Sequence, residues 1–231
     1  MSDFGLGAIQ SPPDPRDYQV AALYASVGIT RPAAAAALPA RFLASPMPPV
    51  LNQRTTPQCV AYSNASEQMA FDIHDQKAWF NFDKPRFFRA IGGTAGGAVL
   101  RDALERRRKV GYDTVGHNDA ALHKITGYYA VPKTVLAIKQ AIFTFGPLVL
   151  ATPWAQSWFT PASNGLLPAP SGGDAGGHAI EAWGWDNRLG LLLRNSWGAA
   201  WGVNGNAYLP FKYATGTVWE YWKAIDAIEK P

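Results

Sequence analysis

Apolar residues recur at helical spacing in the first part of the 231-residue chain and in short runs in the second part. In residues 59–75, small side chains are followed by Met69, Ala70 and Ile73, which continue one apolar stripe. Residues 99–109 and 134–145 show two further helical patterns. Gly111 and Gly146 follow these patterns, as glycine often follows a helix end. The sequence therefore predicts three helices before residue 146.

Short apolar runs with β character follow from residue 148 onward, bounded by glycine and by turn residues such as Asp186-Asn187. Strands are predicted at residues 148–152, 178–185, 189–194, 207–210 and 218–225, as an antiparallel set. Because helices dominate the first half and strands the second, the sequence predicts an α+β protein whose two halves face each other.

Residues 1–37 differ from the rest of the chain because they are rich in Pro, Ala and Gly. The prolines around Asp14 favour extended or turn backbone, and residues 33–37 are all alanine. We expect an extended N-terminal arm over residues 1–37 that needs the main body to order it, followed by one domain over residues 38–231.

The composition is that of a globular protein, with 48% hydrophobic and 16% charged residues. The 21 basic and 17 acidic residues give a net charge of +4, which identifies no partner. The densest basic run, residues 106–109, is expected to end a helix and face water. We expect a monomer that binds neither nucleic acid nor membrane.

Cysteine content and the first thirty residues bear on the cellular compartment. A single cysteine allows no internal disulfide, which fits a reducing compartment. The first thirty residues lack a basic start followed by an apolar run, so no secretory signal is predicted. The most apolar stretch, residues 141–155, is too short to span a bilayer. We expect a cytoplasmic protein, with release by another route left open.

The single cysteine, Cys59, is a candidate nucleophile because it lies at a predicted helix start, which lowers the pKa of a thiol. A nucleophilic thiol also needs a base. His74 lies too far along the same helix to reach Cys59, and His117 and His123 are expected at the surface. His178, at the start of a glycine-framed strand, is therefore the candidate base.

Two amide side chains complete the candidate site. Asn195 follows the turn after the His178 strand, so its oxygen could accept the imidazole N–H and fix the ring. Gln53 precedes Cys59 by six residues and could donate, together with the Cys59 backbone N–H, to an oxyanion. The spacing alone leaves open that Cys59 is a small core residue. No metal-ligand or P-loop spacing is present, so neither a metal nor a cofactor is expected.

In these motifs and their order, the chain resembles the papain-like cysteine peptidases, the C1 family. The family's Asn-Gln pair, with the nucleophile six residues after the Gln, occurs as Asn52-Gln53 and Cys59. Its Gly-His-Ala and Asn-Ser-Trp-Gly motifs occur as Gly177-His178-Ala179 and Asn195-Ser196-Trp197-Gly198. Because it lacks disulfides, the chain is more similar to bacterial or viral members than to secreted ones.

The resemblance implies a two-subdomain fold with a helical half, an antiparallel β-rich half and an active site in the cleft between them. It implies a cysteine endopeptidase that hydrolyses peptide or protein substrates through an acyl-enzyme intermediate. The catalytic residues it implies are Cys59, His178, Asn195 and Gln53. The substrate-binding residues it implies are Gly96, Gly97, Gly177, Ala179 and Trp197. The arm of residues 1–37 is expected to restrain activity as an intramolecular inhibitor.

Two other functions remain open at this point. A peptidase of this kind could cut the peptides of bacterial peptidoglycan, as an enzyme of a bacterium or a phage. Alternatively, the chain could be a catalytically retired peptide-binding protein, although retired members commonly lose the nucleophile and Cys59 is present. Glu181, an unusual charge on the His178 strand, is expected to be a surface or ion-paired residue, with tuning of the site as the alternative.

Overall fold

The structure of the chain, a computed structural model, describes residues 4–28 and 38–226, apart from the side chain of Asp75. The helices are α1 (Val20–Ser26), α2 (Cys59–Gln76), α3 (Lys84–Ala90), α4 (Leu100–Lys109), α5 (Val135–Phe145) and α6 (Phe211–Gly216). The strands are β1 (Ala8–Ile9), β2 (Arg41–Leu43), β3 (Ala98–Val99), β4 (Ile125–Ala130), β5 (Leu148–Ala155), β6 (Asp174–Asp186), β7 (Gly190–Arg194), β8 (Asn206–Leu209) and β9 (Glu220–Asp226).

One antiparallel sheet organises the second half of the chain. Its strands lie in the order β4-β9-β5-β6-β7-β8, and β2 pairs with the end of β6. The 13-residue β6 is the longest strand, with β5 on one side and β7 on the other. The short strands β1 and β3 form a separate parallel pair. The predicted α+β architecture is confirmed.

Helices cover both faces of this sheet. Val149 and Ala151 of β5 belong to an apolar cluster shared with α2, α3 and α4. Leu148 and Leu150, which alternate with them, belong to a second cluster shared with α1 and α5. Burial on both faces explains why β5 is a continuous apolar run rather than an alternating pattern. Within the described residues, no helix combines the length and apolar character that crossing a membrane requires.

The three predicted helices are present within one or two residues of their expected bounds. Thr134 begins α5 as its N-cap, and its hydroxyl oxygen accepts a hydrogen bond from the Ala137 N–H at 3.2 Å. The pattern did not predict α3 or β4. A seven-residue helix such as α3 gives too few repeats to show a period, although Asp83 caps it and Pro85 lies in its first turn.

The N-terminal arm is only partly extended, which corrects the prediction. Residues 4–18 contain β1 but no helix, whereas Val20–Ser26 form α1. Val20, Leu23 and Tyr24 are buried in the same cluster as the inner face of α5. The alanine run lies outside the described residues. Because α1 supplies core side chains, removing all of residues 1–37 would expose apolar surface, and the boundary at residue 38 stays a prediction.

Two charged groups expected at the surface are buried instead. The Arg107 side chain, within the basic run, is fully buried, and its Nη1 lies 2.7 Å from the buried Glu67 Oε2. Asn64 and Gln68 of α2 accept further hydrogen bonds from the Arg107 guanidinium. His123 is 1% exposed, and its Nδ1 lies 2.9 Å from Asp72 Oδ2. These contacts fasten α4 and the loop before β4 to α2.

His123 should make stability depend on pH. Burial alone would lower the pKa of His123, but the contact with Asp72 and the charges of Asp72, Asp119 and Asp226 outweigh burial and raise it. The stabilisation is therefore complete below the unfolded pKa, about 6.5, and is lost as the pH rises through the folded pKa. The loss is about 1.4 kcal/mol for each unit between the two pKa values.

Urea unfolding of wild type and His123→Gln at pH 5.5 and pH 9 measures this effect. The free energy of unfolding of wild type should exceed that of His123→Gln by less at pH 9 than at pH 5.5. His117→Gln, at an exposed histidine, is the control and should show no such trend. A difference between wild type and His123→Gln that is equal at both pH values would contradict the raised pKa of His123.

Candidate active site

The thiol of Cys59 lies at the first residue of α2 and is fully buried. Burial raises the pKa of the Cys59 thiol to about 11. The backbone N–H groups of Ala179, Val60 and Gly7 oppose this rise because each can hydrogen-bond to the thiolate. The thiol therefore lies between the start of α2, strand β6 at Ala179 and the arm at Gly7. In this closed arrangement it is protonated at neutral pH.

The imidazole of His178, one residue before Ala179 on β6, is held by Asn195. The His178 Nε2 and the Asn195 Oδ1 are 2.8 Å apart, and both residues are buried. The Asn195 oxygen also accepts a hydrogen bond from the Ser196 N–H at 2.8 Å. An amide oxygen accepts only, so His178 must carry its proton on Nε2 and leave the lone pair of Nδ1 free. Within the described residues, Nδ1 has no hydrogen-bond partner.

Aromatic rings enclose the His178–Asn195 contact. Trp197 stacks on His178 with 4.5 Å between ring centroids, and Trp154 approaches His178 edge-on at 4.9 Å. These rings exclude water, and the resulting burial lowers the pKa of His178 to about 4, although Asn195 partly offsets the effect. His178 is therefore neutral at pH 7. The thiol of Cys59 is protonated, so neither of the two groups is charged.

The amide of Gln53 points at the N-terminal arm. Its Nε2 donates to the Gly5 carbonyl oxygen at 3.1 Å and to the Thr56 carbonyl oxygen at 2.8 Å. The Ser196 hydroxyl donates to Gln53 Oε1 at 2.6 Å, which fixes the amide orientation. The Gly5 carbonyl also accepts a hydrogen bond from the Trp197 indole N–H at 3.2 Å. The Gly5 carbonyl oxygen thus accepts from Gln53 Nε2, the donor that the sequence assigned to an oxyanion.

The arm passes between the two halves of the molecule at Gly7. The Gly7 N–H donates to the Gly177 carbonyl oxygen on β6, and the Gly7 carbonyl accepts from the Ala98 N–H on β3, both at 2.8 Å. A Cβ at Gly7 would lie 2.2 Å from the Pro57 carbonyl oxygen, and one at Gly5 would lie 2.0 Å from that of Thr56. The arm fits this close to the segment before Cys59 only because both residues are glycine.

The predicted substrate-binding residues have different positions relative to the arm. Gly177 bonds to the arm, and Ala179 is buried next to Cys59. Gly97 contacts the arm, because a Cβ there would lie 2.0 Å from the Gly7 carbonyl oxygen. A Cβ at Gly96 would lie 3.6 Å from Thr94 Oγ1, and no atom of the described part of the arm lies within 4 Å of it. Trp197 stacks on His178 and also on Phe4 of the arm, at 4.8 Å.

The structure thus brings together all four predicted catalytic residues, whose catalytic roles stay predictions. Sequence reasoning did not identify the parts of the site that come from the arm, namely Phe4, Gly5 and Gly7. Their one signal is the Gly-Leu-Gly sequence near the start of the chain. It also missed the hydroxyl of Ser196, which lies within the Asn-Ser-Trp motif and orients Gln53.

The sequence has relatives among known proteases. Residues 103–217 match the profile described as "Papain family cysteine protease". The chain is 35% identical over 98 residues to a gut-specific cysteine proteinase of Caenorhabditis elegans. That match covers 41% of this chain and 29% of the relative, so it spans less than a third of the relative's length.

Solved structures share the fold over nearly the whole chain. The structure of xylellain, a cysteine protease from Xylella fastidiosa, superposes with a TM-score of 0.83 at 23% identity and covers 98% of this chain and 97% of that one. Procathepsin L2 proteinase from the Tenebrio molitor larval midgut gives 0.76 at 19% identity, covering 97% and 79%. These likenesses establish the fold, and the resemblance predicted from the sequence motifs is confirmed.

The raised thiol pKa predicts slow alkylation of Cys59 in the intact chain. A pKa of about 11 instead of 9.0 leaves about 100-fold less thiolate at pH 7. The rate of reaction with iodoacetamide, read by intact mass, should be at least that much below the rate for the unfolded chain in guanidinium. It should climb steadily up to about pH 11. A folded chain that reacts at pH 7 as fast as the unfolded control would contradict the closed, uncharged pair.

Proposed function

This chain is a relative of the papain-family cysteine proteases in sequence and in fold, and on that premise we propose that it is a cysteine endopeptidase with a Cys-His-Asn mechanism. The observation that carries the proposal is the buried 2.8 Å contact between His178 and Asn195, one residue from the Ala179 N–H beside the Cys59 thiol. This contact fixes the tautomer that leaves Nδ1 free to take the thiol proton.

The proposed reaction has two stages. Cys59 transfers its proton to His178 Nδ1 and attacks the carbonyl carbon of the scissile peptide bond, while Gln53 Nε2 and the Cys59 N–H bind the oxyanion. His178 then returns the proton to the leaving amine, and the amine departs as the thioester forms. Water next attacks the thioester with His178 as the general base, which releases the acid and restores the thiol.

We further propose that the arm is an intramolecular inhibitor. Gly5 occupies the Gln53 amide, Gly7 bonds to both halves of the molecule, and Phe4 covers Trp197. The arm is held further along by Ser11, whose N–H and hydroxyl donate to Glu220 Oε1, and by the Asp17–Arg101 ion pair at 3.0 Å. Its departure would free the Gln53 donor and admit water, which favours the thiolate–imidazolium pair.

A single side chain at position 7 should activate the enzyme. Gly7→Val cannot keep the arm in place, because its Cβ would lie 2.2 Å from the Pro57 carbonyl oxygen. We expect hydrolysis of a fluorogenic peptide by the full chain to rise about tenfold or more, as the fraction of open molecules grows. Ile9→Ala, which shortens an exposed side chain of the same segment, is the matched control and should change turnover little. Unchanged turnover in a folded Gly7→Val protein would remove the inhibitor proposal while leaving the peptidase proposal intact.

Substrate tests on the same Gly7→Val background separate the candidate functions. We expect unmodified peptides to be cleaved, and Cys59→Ala and His178→Ala to reduce cleavage by at least about 10³-fold. Both variants should keep the wild-type melting temperature within a few degrees. Release of peptides from purified peptidoglycan without cleavage of ordinary peptides would instead favour a wall hydrolase. Binding of peptides without cleavage of either substrate would favour a retired peptide-binding protein.

A further inference from the structure

Glu181 is a buried carboxylate that the proposed reaction does not use. It lies on β6, three residues after His178, and is 2% exposed. Successive side chains of a strand point to opposite faces, so Glu181 points with Ala179 towards α2 and away from His178. Within the described residues, its Oε1 has no hydrogen-bond partner. A buried carboxylate is costly, and its retention needs a physical reason.

Glu181 lies where the three elements of the candidate site meet. It is the direct partner of Arg194 in the pairing of β6 with β7, and Arg194 immediately precedes Asn195. On α2, Ser66 lies two helical turns beyond Cys59 and close enough to the Glu181 carboxylate to oppose the rise of its pKa. Glu181 thus belongs to the strand of His178, faces the strand that leads to Asn195 and lies near the helix that begins at Cys59.

The pairing of β6 with β7 is irregular, so its register needs an interaction that fixes it. The pairing shifts between Ala182 and Gly184, and a one-residue slip moves every side chain to the other face of a strand. The Glu181–Arg194 pair lies on the His178 side of this irregularity, one pair beyond Ala182–Leu193. It is the last direct strand pair before the His178–Asn195 contact. A slip in the pairing of β6 with β7 would break that contact.

The opposite charges of Glu181 and Arg194 favour their position opposite each other on the two strands. Burial raises the pKa of Glu181, and the Glu67 carboxylate adds to the rise, whereas Ser66 and the Arg194 guanidinium oppose it. Burial likewise lowers the pKa of Arg194, and Glu181 opposes that change. Arg194 also donates to the Pro48 carbonyl oxygen and to Asn206 Oδ1. Arg194, the strand partner of Glu181, thus binds the segment that leads to Gln53.

We propose that Glu181 is a positioning residue that holds Asn195 in register with His178 through Arg194 and ties both strands to α2 through Ser66. The inference rests on the proposed function, since positioning matters for catalysis only if the site is catalytic. It differs from a general packing role because it predicts an effect on the His178 ring itself.

The test compares full-length variants in which position 181 keeps its size. Glu181→Leu removes the polar contacts, and Glu181→Gln keeps a side chain that can bond to Ser66. Two-bond proton–nitrogen spectra of protein with nitrogen-15 histidine report the tautomer of His178 without any need for turnover. We expect a single Nε2–H form in wild type and in Glu181→Gln, and a mixture of both tautomers in Glu181→Leu.

Kinetics supply a second readout on the Gly7→Val background. Misplaced catalytic groups lower the rate of the chemical step more than substrate binding, so Glu181→Leu should lower kcat about tenfold or more and change KM less than twofold. Asp72→Leu, at a buried carboxylate on α2 rather than on β6, is the matched control. It should lower the melting temperature yet leave the His178 spectrum and kcat unchanged.

The outcomes separate the two claims. A folded Glu181→Leu protein with the wild-type tautomer and kcat would overturn the positioning role, and so would equal spectral changes in Asp72→Leu. If Glu181→Leu does not fold, Glu181→Leu with Arg194→Met removes both charges, which proteins commonly tolerate. A single Nε2–H tautomer in that double variant also overturns the role. If Gly7→Val shows no peptide turnover at all, the proposed function fails, and the tautomer comparison still decides the role of Glu181.

Discussion

The pairing of β6 with β7 is the constraint on which the site depends. This pairing places Asn195 beside His178, and the resulting 2.8 Å contact leaves one imidazole nitrogen free to face a nucleophile. The same strand provides the Ala179 N–H beside the Cys59 thiol and the Gly177 carbonyl that binds the arm. Because β6 lies inside the sheet, neighbouring strands on both sides fix its position. The helical half then contributes Cys59, the first residue of α2.

Exclusion of water explains the electrostatic state of the site. The arm lies against the thiol at Gly7, and Trp197 and Trp154 enclose the imidazole, so burial raises the pKa of the thiol and lowers that of the imidazole. Both groups are then neutral, which is the stable state for a pair removed from water and the unreactive state for a thiol. Glycines at positions 5 and 7 allow the arm to come this close. On the proposed function, the catalytic site and its restraint would both come from this one chain.

The positions of the candidate residues were predicted better than their surroundings, for physical reasons. Cys59, His178 and Asn195 were found because a helix start and a turn between strands are local signals, and the Asn-Ser-Trp-Gly motif is specific. Arg107 was assigned to the surface because the pattern of a basic run does not show that Glu67, forty residues away, would meet it inside. The role of Gly5 and Gly7 was missed because the atoms packed closest to them are backbone carbonyls of residues 56 and 57, and a sequence pattern does not show such contacts.

The central claim is that Cys59 forms an acyl-enzyme, and the most direct test is to trap that thioester. Gly7→Val protein would be mixed with a peptide ester, quenched in acid after milliseconds and weighed intact. Digestion would then locate the added mass. We predict one acyl group per chain, attached to Cys59, that appears before steady turnover and is absent from His178→Ala at the same time points. Turnover without any adduct, or an adduct on another residue, would contradict the claim.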